Sequence, residues 1–354
     1  MKILVISLAG IGDTLLATPL IHELRANFSN ARIDVLTKEA GARDLLNNNP
    51  HIQHIHYKNL MRCGKWEALA FLEKLRDEEY DLSVNTHPQS RAVYRATAWM
   101  IGARVRVSHF YDRVRLWDRF LCNRNLKQDY SRHSIDNNLD LLSLIGASPK
   151  LARHEMEVFL SPSDEAWASD YIARNDWNGK VLLGMHVGSG GTKNLPLKRW
   201  PLNHFIELVK KLNQLRPELQ ILLFGGPEEA SAHAKLLEQA DPGNTHEVKT
   251  PDLRLAAALI RHCHAFLSVD TALMHLAAAM KTSNQMVIEA PTLNVTNWPL
   301  GPDCTVIPNP MVNGKGLDFY RYDGGPIKGS REQLIRIMES VTVESVLEKV
   351  LQKV

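Results

Sequence analysis

The sequence predicts an α/β protein of two domains, each built on an open parallel sheet. Strand-like and helix-like segments alternate along the chain, the pattern of parallel strands joined by crossover helices. The series runs from Lys2 to about Gly102 and starts afresh at Lys180. The length of 354 residues exceeds what one ordinary core serves and suits two domains of roughly 150–200 residues.

In the first series, Lys2–Leu8 reads as a buried strand and Asp13–Asn27 as a helix with apolar spacing at Leu16, Leu20 and Leu24. Arg32–Thr37 and His51–Tyr57 read as strands, Trp66–Glu78 as a helix and Leu82–Asn85 as a short strand. The helix Ala92–Ile101 ends near Gly102. In the second series the strands are Lys180–His186, Gln220–Phe224, Ala265–Val269 and Gln285–Glu289. Helices are expected over Pro201–Leu215, Glu228–Gln239, Leu253–His262 and Ala272–Met280, and Arg331–Leu351 is a further candidate. The expected domains are 1–165 and 179–330, each Rossmann-like, followed by a C-terminal helix over 331–354. Asn178-Gly179 precedes the fresh strand. Two such sheets facing one another create a cleft, and ligands in these folds sit outside the carboxyl ends of the strands.

Hydrophobic content of 44% with 23% charged residues is that of a soluble globular protein. No apolar run reaches the roughly 18 residues of a membrane span, and the start lacks the features of a signal peptide. Cys63, Cys122, Cys263 and Cys304 are scattered, without metal-ligand spacing, which fits a reducing cytoplasm. Net charge is only +3, yet Arg91 to Arg132 also holds Arg95, Arg104, Arg106, Arg113, Arg115, Arg119, Arg124 and Lys127, against Asp112, Asp118 and Asp129. That concentration points to an anionic partner, a phosphorylated or carboxylated glycan, a membrane surface or nucleic acid, or equally to an ordinary solvated face. No stacking signature accompanies the arginines, so nucleic acid is the weaker choice.

Four turns could carry chemistry. Gly10-Ile11-Gly12-Asp13-Thr14 joins the first strand to the first helix, and its glycines allow close backbone approach. Leu15 stands where a dinucleotide fingerprint needs glycine, which counts against a nicotinamide enzyme. Asp13 is placed either to cap the helix or to accept a proton from an acceptor hydroxyl. His186-Val187-Gly188-Ser189-Gly190-Gly191-Thr192 offers backbone N–H groups and two hydroxyls to phosphate oxygens, or is a plain turn. Downstream, Lys198 or Arg199 could face diphosphate charge, and Pro201 suits a first helical position.

In Phe224-Gly225-Gly226-Pro227-Glu228-Glu229 the helix start could receive part of a nucleotide at Gly225, with Glu228 accepting from ribose hydroxyls. The plainer reading of Glu229 is a carboxylate facing the helix dipole. The fourth turn, Ser268-Val269-Asp270-Thr271, opens a helix of small residues whose free N–H groups can hold phosphate. His275 lies one turn on, either a ligand contact or a satisfied core histidine.

Together these segments resemble glycosyltransferase family 9, the ADP-heptose:lipopolysaccharide heptosyltransferases. Gly12-Asp13-Thr14-Leu15-Leu16-Ala17-Thr18-Pro19-Leu20 is similar to that family's opening segment, Lys198-Arg199-Trp200-Pro201 to its KxWP, and Gly225-Gly226-Pro227-Glu228-Glu229 to its GGPEE. Asp270-Thr271 through His275-Leu276-Ala277-Ala278-Ala279 resembles its D(T/S)GxxHLAAA, and Pro291-Thr292 with Trp298-Pro299-Leu300-Gly301-Pro302 the segment that follows.

The resemblance implies a GT-B fold, an inverting mechanism and no catalytic metal or resident cofactor. It makes Asp13 the base, with Gly10 and Gly12 beside the acceptor. Lys198, Asp270, Thr271 and His275 then hold the ADP-sugar, with Ser189 near its phosphates. It implies a nucleotide sugar and an anionic glycolipid as partners, in the cytoplasm and at the inner membrane's cytoplasmic face. Departures are Ala272 for the usual glycine, Ser7 for a common arginine, Ala9-Gly10 for a hydroxyl-bearing pair and Glu289-Ala290-Pro291-Thr292 for FGPT. Asn309–Gly329 matches nothing in the family. The rival readings are a GT-B transferase for another nucleotide sugar and surface glycan, a non-catalytic glycan-binding protein of the same shape and, last, a Rossmann oxidoreductase.

Overall fold

The computed structural model describes all residues except 113–117, 192–193, 241–242 and 302, and leaves out the side chains of 118 and 119. Arg113 and Arg115 of the basic stretch, Thr192 of the glycine loop and Pro302 therefore lie outside the described residues, as does the Arg119 side chain.

Among the described residues, twelve strands form two six-stranded sheets. The first sheet comprises β1 (Lys2–Ser7), β2 (Arg32–Thr37), β3 (His54–Tyr57), β4 (Leu82–Asn85), β5 (Val105–Phe110) and β6 (Arg124–Lys127), in the order β3-β2-β1-β4-β5-β6. The second comprises β7 (Leu182–Met185), β8 (Gln220–Leu223), β9 (Thr245–Glu247), β10 (Ala265–Ser268), β11 (Asn284–Ile288) and β12 (Cys304–Ile307), in the order β12-β11-β10-β7-β8-β9. Every pairing is parallel. Counted from its own first strand, the second sheet repeats the order of the first, the doubly wound Rossmann arrangement. The order reverses between β1 and β4 in one sheet and between β7 and β10 in the other, and the crevice at that reversal is where such sheets bind ligands.

The central strands are continuous apolar runs because helices cover both faces of a parallel sheet. Ile3, Leu4, Val5 and Ile6 are fully buried in β1, as are Ala265, Phe266 and Leu267 in β10. Two compact units follow: Met1–Phe159 with Tyr322–Gly325, and Leu160–Arg321 with Pro326–Val354. The helix Pro162–Arg174, capped by Ser161 and Asp164, joins the second unit through Arg254, which meets Asp164 at 3.2 Å, and through the Arg261–Glu165 pair.

Several helices differ from the periodicity reading. The expected helix over Asp13–Asn27 is two, Ile11–Leu15 and Thr18–Asn27. Pro19 has no N–H to give to the Leu15 carbonyl, and the Thr18 hydroxyl takes that acceptor at 2.7 Å. Arg331–Leu351 is likewise split, into Arg331–Glu339 and Val343–Leu351. The Trp200 indole donates to the Val341 carbonyl at 2.8 Å, and Thr342 caps the second helix. Pro201 precedes its helix, with ψ 134°, instead of occupying the first turn.

The unmatched segment is organised by a departure from the family pattern. Glu289 accepts from the N–H groups of Asn309 and Gly314, each at 2.7 Å, so a buried carboxylate folds 309–314 onto the end of β11. Gly314 has φ +76°, a conformation that suits glycine. Further along the same segment, Tyr322 sets its ring edge-on to His87, with centroids 5.2 Å apart. No helix among the described residues is long and apolar enough to cross a membrane.

Candidate active site

The reversal point of the second sheet gathers residues from four separate turns. Thr271 caps the helix Ala272–Ala279, its hydroxyl accepting from Met274 N at 3.4 Å. Asp270, just before it, is buried, and Lys198 Nζ lies 3.3 Å from its Oδ2. The Thr292 hydroxyl donates to the same oxygen at 2.6 Å. Burial raises the Asp270 carboxyl, but the Lys198 charge, the Thr292 hydrogen bond and the His275 charge outweigh it and hold the group below its ordinary value. His275 is buried one turn along the helix. A buried ammonium, a helix N-terminus and a carboxylate fixed in its ionised form therefore share the end of β10, an electrostatic frame suited to a diphosphate.

The loop after β7 is held by its neighbours. Arg199 Nε donates to Ser189 Oγ at 3.1 Å, and Arg199 Nη2 donates to the Ser189 carbonyl at 2.9 Å. Ser189 Oγ itself donates to Leu195 O at 3.1 Å. Arg199 also meets the buried Glu229 at 3.6 Å, and Glu229 Oε2 accepts from Gly226 N at 3.0 Å. Glu229 fills the space beside two glycines: a Cβ would stand 2.2 Å from its Oε1 at Gly188 and 2.8 Å from its Cβ at Gly225. Gly225 thus serves close packing of Glu229, while Glu228 is exposed, its carboxylate beside Gly191. His186, at the end of β7, puts Nδ1 2.9 Å from Phe224 O, and burial lowers its pKa.

Sequence reasoning singled out Lys198, Asp270, Thr271, His275 and Ser189, and the structure brings these to the ends of β7 and β10. It missed Thr292 and the tie from Arg199 to Glu229. Thr292 stood in a matched segment, but nothing local says that its hydroxyl reaches a carboxylate 22 residues away.

In the first unit, Asp13 lies at the carboxyl end of β1, and its Oδ2 accepts from Gly10 N at 2.8 Å. The capping bond is therefore present. Gly10 leads into the helix Ile11–Leu15 and Gly12 is buried within it. Ser7 Oγ and Thr14 Oγ1 stand 3.0 Å apart at the same turn. Across the reversal point, the loop after β4 meets Tyr111, which follows β5: the Tyr111 hydroxyl accepts from Gln89 N at 2.9 Å and lies 3.0 Å from His87 Nδ1. Burial, together with the His109 and His133 charges, lowers the His87 pKa well below its ordinary value. Tyr111 is pushed well above its ordinary value, chiefly by burial and in part by the nearby Asp13 charge.

The basic stretch is not one solvated face. Arg95 is buried and donates to the carbonyls of Gln89 (3.1 Å) and Ser90 (3.3 Å), shaping the loop after β4. Arg132 pairs with Asp140, and Arg106 donates to the carbonyls of Leu121 and Ala103. Arg91, Arg104 and Arg124 are exposed. Short local alternation placed Arg95 on a helix but could not show that its side chain turns inward.

His22, His51 and Glu157 bring possible ligand atoms within 4.8 Å of one another. The two imidazoles stack nearly parallel, at 3.9 Å and 18°, so their lone pairs do not converge on one point. The cluster serves instead to fasten Glu157 to the helix Thr18–Asn27, through His22 Nδ1 at 2.7 Å.

Residues 68–306 match the model of glycosyltransferase family 9 (heptosyltransferase). Lipopolysaccharide heptosyltransferase 3 of Escherichia coli strain K12 is 24% identical over 290 residues, covering 77% of this chain and 77% of that protein. Lipopolysaccharide heptosyltransferase 2 of Salmonella typhimurium strain LT2 is 26% identical over 300 residues, covering 79% and 80%. Among solved structures, the E. coli ADP-heptose lps heptosyltransferase II aligns with a TM-score of 0.72 at 20% identity, over 99% of this chain and 98% of that one. At that identity the likeness shows the fold, which is GT-B.

Proposed function

This chain belongs to glycosyltransferase family 9, and from that premise we propose that it transfers heptose from ADP-heptose to a hydroxyl of a lipopolysaccharide inner-core acceptor. The observation that carries the reading is the buried group of Lys198, Asp270 and Thr292 beside the cap of the helix Ala272–Ala279, inside the matched segment.

Transfer with inversion needs one proton taken and one leaving group stabilised. The acceptor oxygen attacks the anomeric carbon, the bond from that carbon to the diphosphate oxygen breaks, and ADP departs with the electron pair. Asp13 takes the acceptor proton, a role worth about 10²–10⁴ in rate. Lys198 and the N–H groups of the helix opened by Thr271 balance the charge arriving on ADP. Asp270 and Thr292 orient Lys198, and Ser189, held by Arg199, presents the loop after β7 to the phosphates. Gly225 and Glu228 border the nucleotide, His275 backs the phosphate turn, and Gly10 and Gly12 let the acceptor approach the backbone. Fixed protein charge does the work that a divalent ion does in other transferases, so the reaction runs without a metal or resident cofactor. The acceptor is an anionic glycolipid met at the cytoplasmic face of the inner membrane.

The test is a panel of nucleotide sugars with a lipopolysaccharide core acceptor, following release of nucleoside diphosphate, with and without EDTA. ADP-heptose should give turnover that EDTA leaves intact. Turnover with a UDP-hexose in its place would replace the donor, and binding without turnover on any acceptor would make the protein a glycan-binding one.

A further inference from the structure

The first unit exposes large apolar side chains on three adjoining helices. Trp66 (84% exposed) and Leu69 lie one turn apart on Lys65–Asp77, whose Leu75 points into the core. Trp99 (56%) and Val93 occupy the outer face of Ala92–Ile101, and Phe120 (79%) lies on Asp118–Leu121. The second of these helices packs against both others. Leu69 and Trp99 face a common groove of about 750 Å³ with Arg76 and Arg106 beside it. Glu73 and Asp77 also reach the groove, so its own charge is balanced. The excess lies around it: exposed Lys65 adjoins Trp66, exposed Arg91 precedes Val93, and exposed Arg104 and Arg124 follow Trp99 and Phe120. Glu67, the acidic neighbour of Trp66, is already paired with Lys58.

We propose that this face, Trp66, Leu69, Val93, Trp99 and Phe120 with their flanking cations, docks the enzyme on a bilayer rich in anionic lipid. Indole and phenyl rings insert at the headgroup boundary, where one end is apolar and the other wet, and flanking cations meet lipid phosphates. An ordinary protein partner is served less well, because contact cores exclude charge and here a cation stands beside most of the exposed apolar residues. The assignment rests on the proposed glycolipid acceptor, whose lipid part keeps it in a membrane. It adds which surface of the enzyme meets that membrane.

The experiment compares the full chain with a Trp66→Ala/Trp99→Ala/Phe120→Ala variant, all exposed positions whose loss leaves the core untouched. Flotation with phosphatidylcholine vesicles, with or without phosphatidylglycerol, reads binding. Transfer is followed to acceptor embedded in vesicles and to the same acceptor stripped of its acyl chains. The native protein should float with the phosphatidylglycerol vesicles, less so in high salt, and the variant should bind about tenfold or more weakly. The variant should match the native rate on the stripped acceptor and lose rate only on the embedded one. Equal flotation of both proteins, or none by either, overturns the proposal. So does a concentration-dependent self-association of the native chain that the variant lacks while vesicle binding is unchanged. Vesicle binding that depends on the three aromatics, with no transfer to either acceptor, sinks the heptosyl reading and leaves the surface standing.

Discussion

Lys198 Nζ stands 3.3 Å from Asp270 Oδ2 although 72 residues separate them, and each side chain is only 8% exposed. Two charges so far from water are tolerable only together, and the Thr292 hydroxyl completes the carboxylate's hydrogen bonding.

Removing one member should therefore cost more than a surface pair would. Lys198→Ala is expected to lower unfolding free energy by about 3–5 kcal/mol, because Asp270 is left buried and uncompensated. Lys198→Ala with Asp270→Asn should recover part of the loss yet still bind ADP poorly. Urea unfolding and calorimetric ADP titration check the two halves separately.

Asp13 has two tasks that one substitution separates. An asparagine amide keeps an oxygen able to accept from Gly10 N, so Asp13→Asn should fold normally. The amide cannot take a proton, and kcat should fall by about 10²–10⁴ with ADP binding unchanged. A near-native kcat would remove the base assignment.

Gly188→Ala tests the packing of the phosphate loop. Its new Cβ would meet Glu229 Oε1 at 2.2 Å, forcing that buried side chain off Gly226 N and Arg199. A loss of about 1–3 kcal/mol is expected, with weaker donor binding and an unchanged acceptor KM. A thermal melt with and without ADP measures stability and donor binding, and initial rates against acceptor concentration give the KM.

Acid should weaken the fold in two stages. His51, lowered chiefly by burial and also by the His22 and Arg25 charges, and His109, lowered by burial, are each held at about 4. In the unfolded chain they titrate at about 6.5, so as pH falls below that value the unfolded state binds protons first. Each such group then removes up to about 1.4 kcal/mol of stability per pH unit until its folded value is reached. The carboxylates act later. Asp34 is raised by burial but brought down to about 2 by hydrogen bonds from His56, Tyr80 and Arg32. Its contribution is whole above the unfolded carboxylate value and disappears as pH falls through about 2. Urea midpoints at neutral pH and at about pH 5 should already differ, and a flat profile between them contradicts the histidine stage.

The fold class, the central strands and the glycine turns at their ends were all legible in the sequence. Each depends on spacing within one element: a buried run for β1 or β10, a helix start after Asp270-Thr271, a glycine where the backbone must turn. What only the tertiary structure decided is which side chains from different elements share a space. The Thr292 hydroxyl on Asp270, the seat of Glu229 against Gly188, the inward turn of Arg95 and the approach of Tyr322 to His87 all join residues brought together by packing. Local periodicity fixes the face on which a residue stands, but the neighbour it meets depends on how whole sheets and helices stack, and no local spacing encodes that distance.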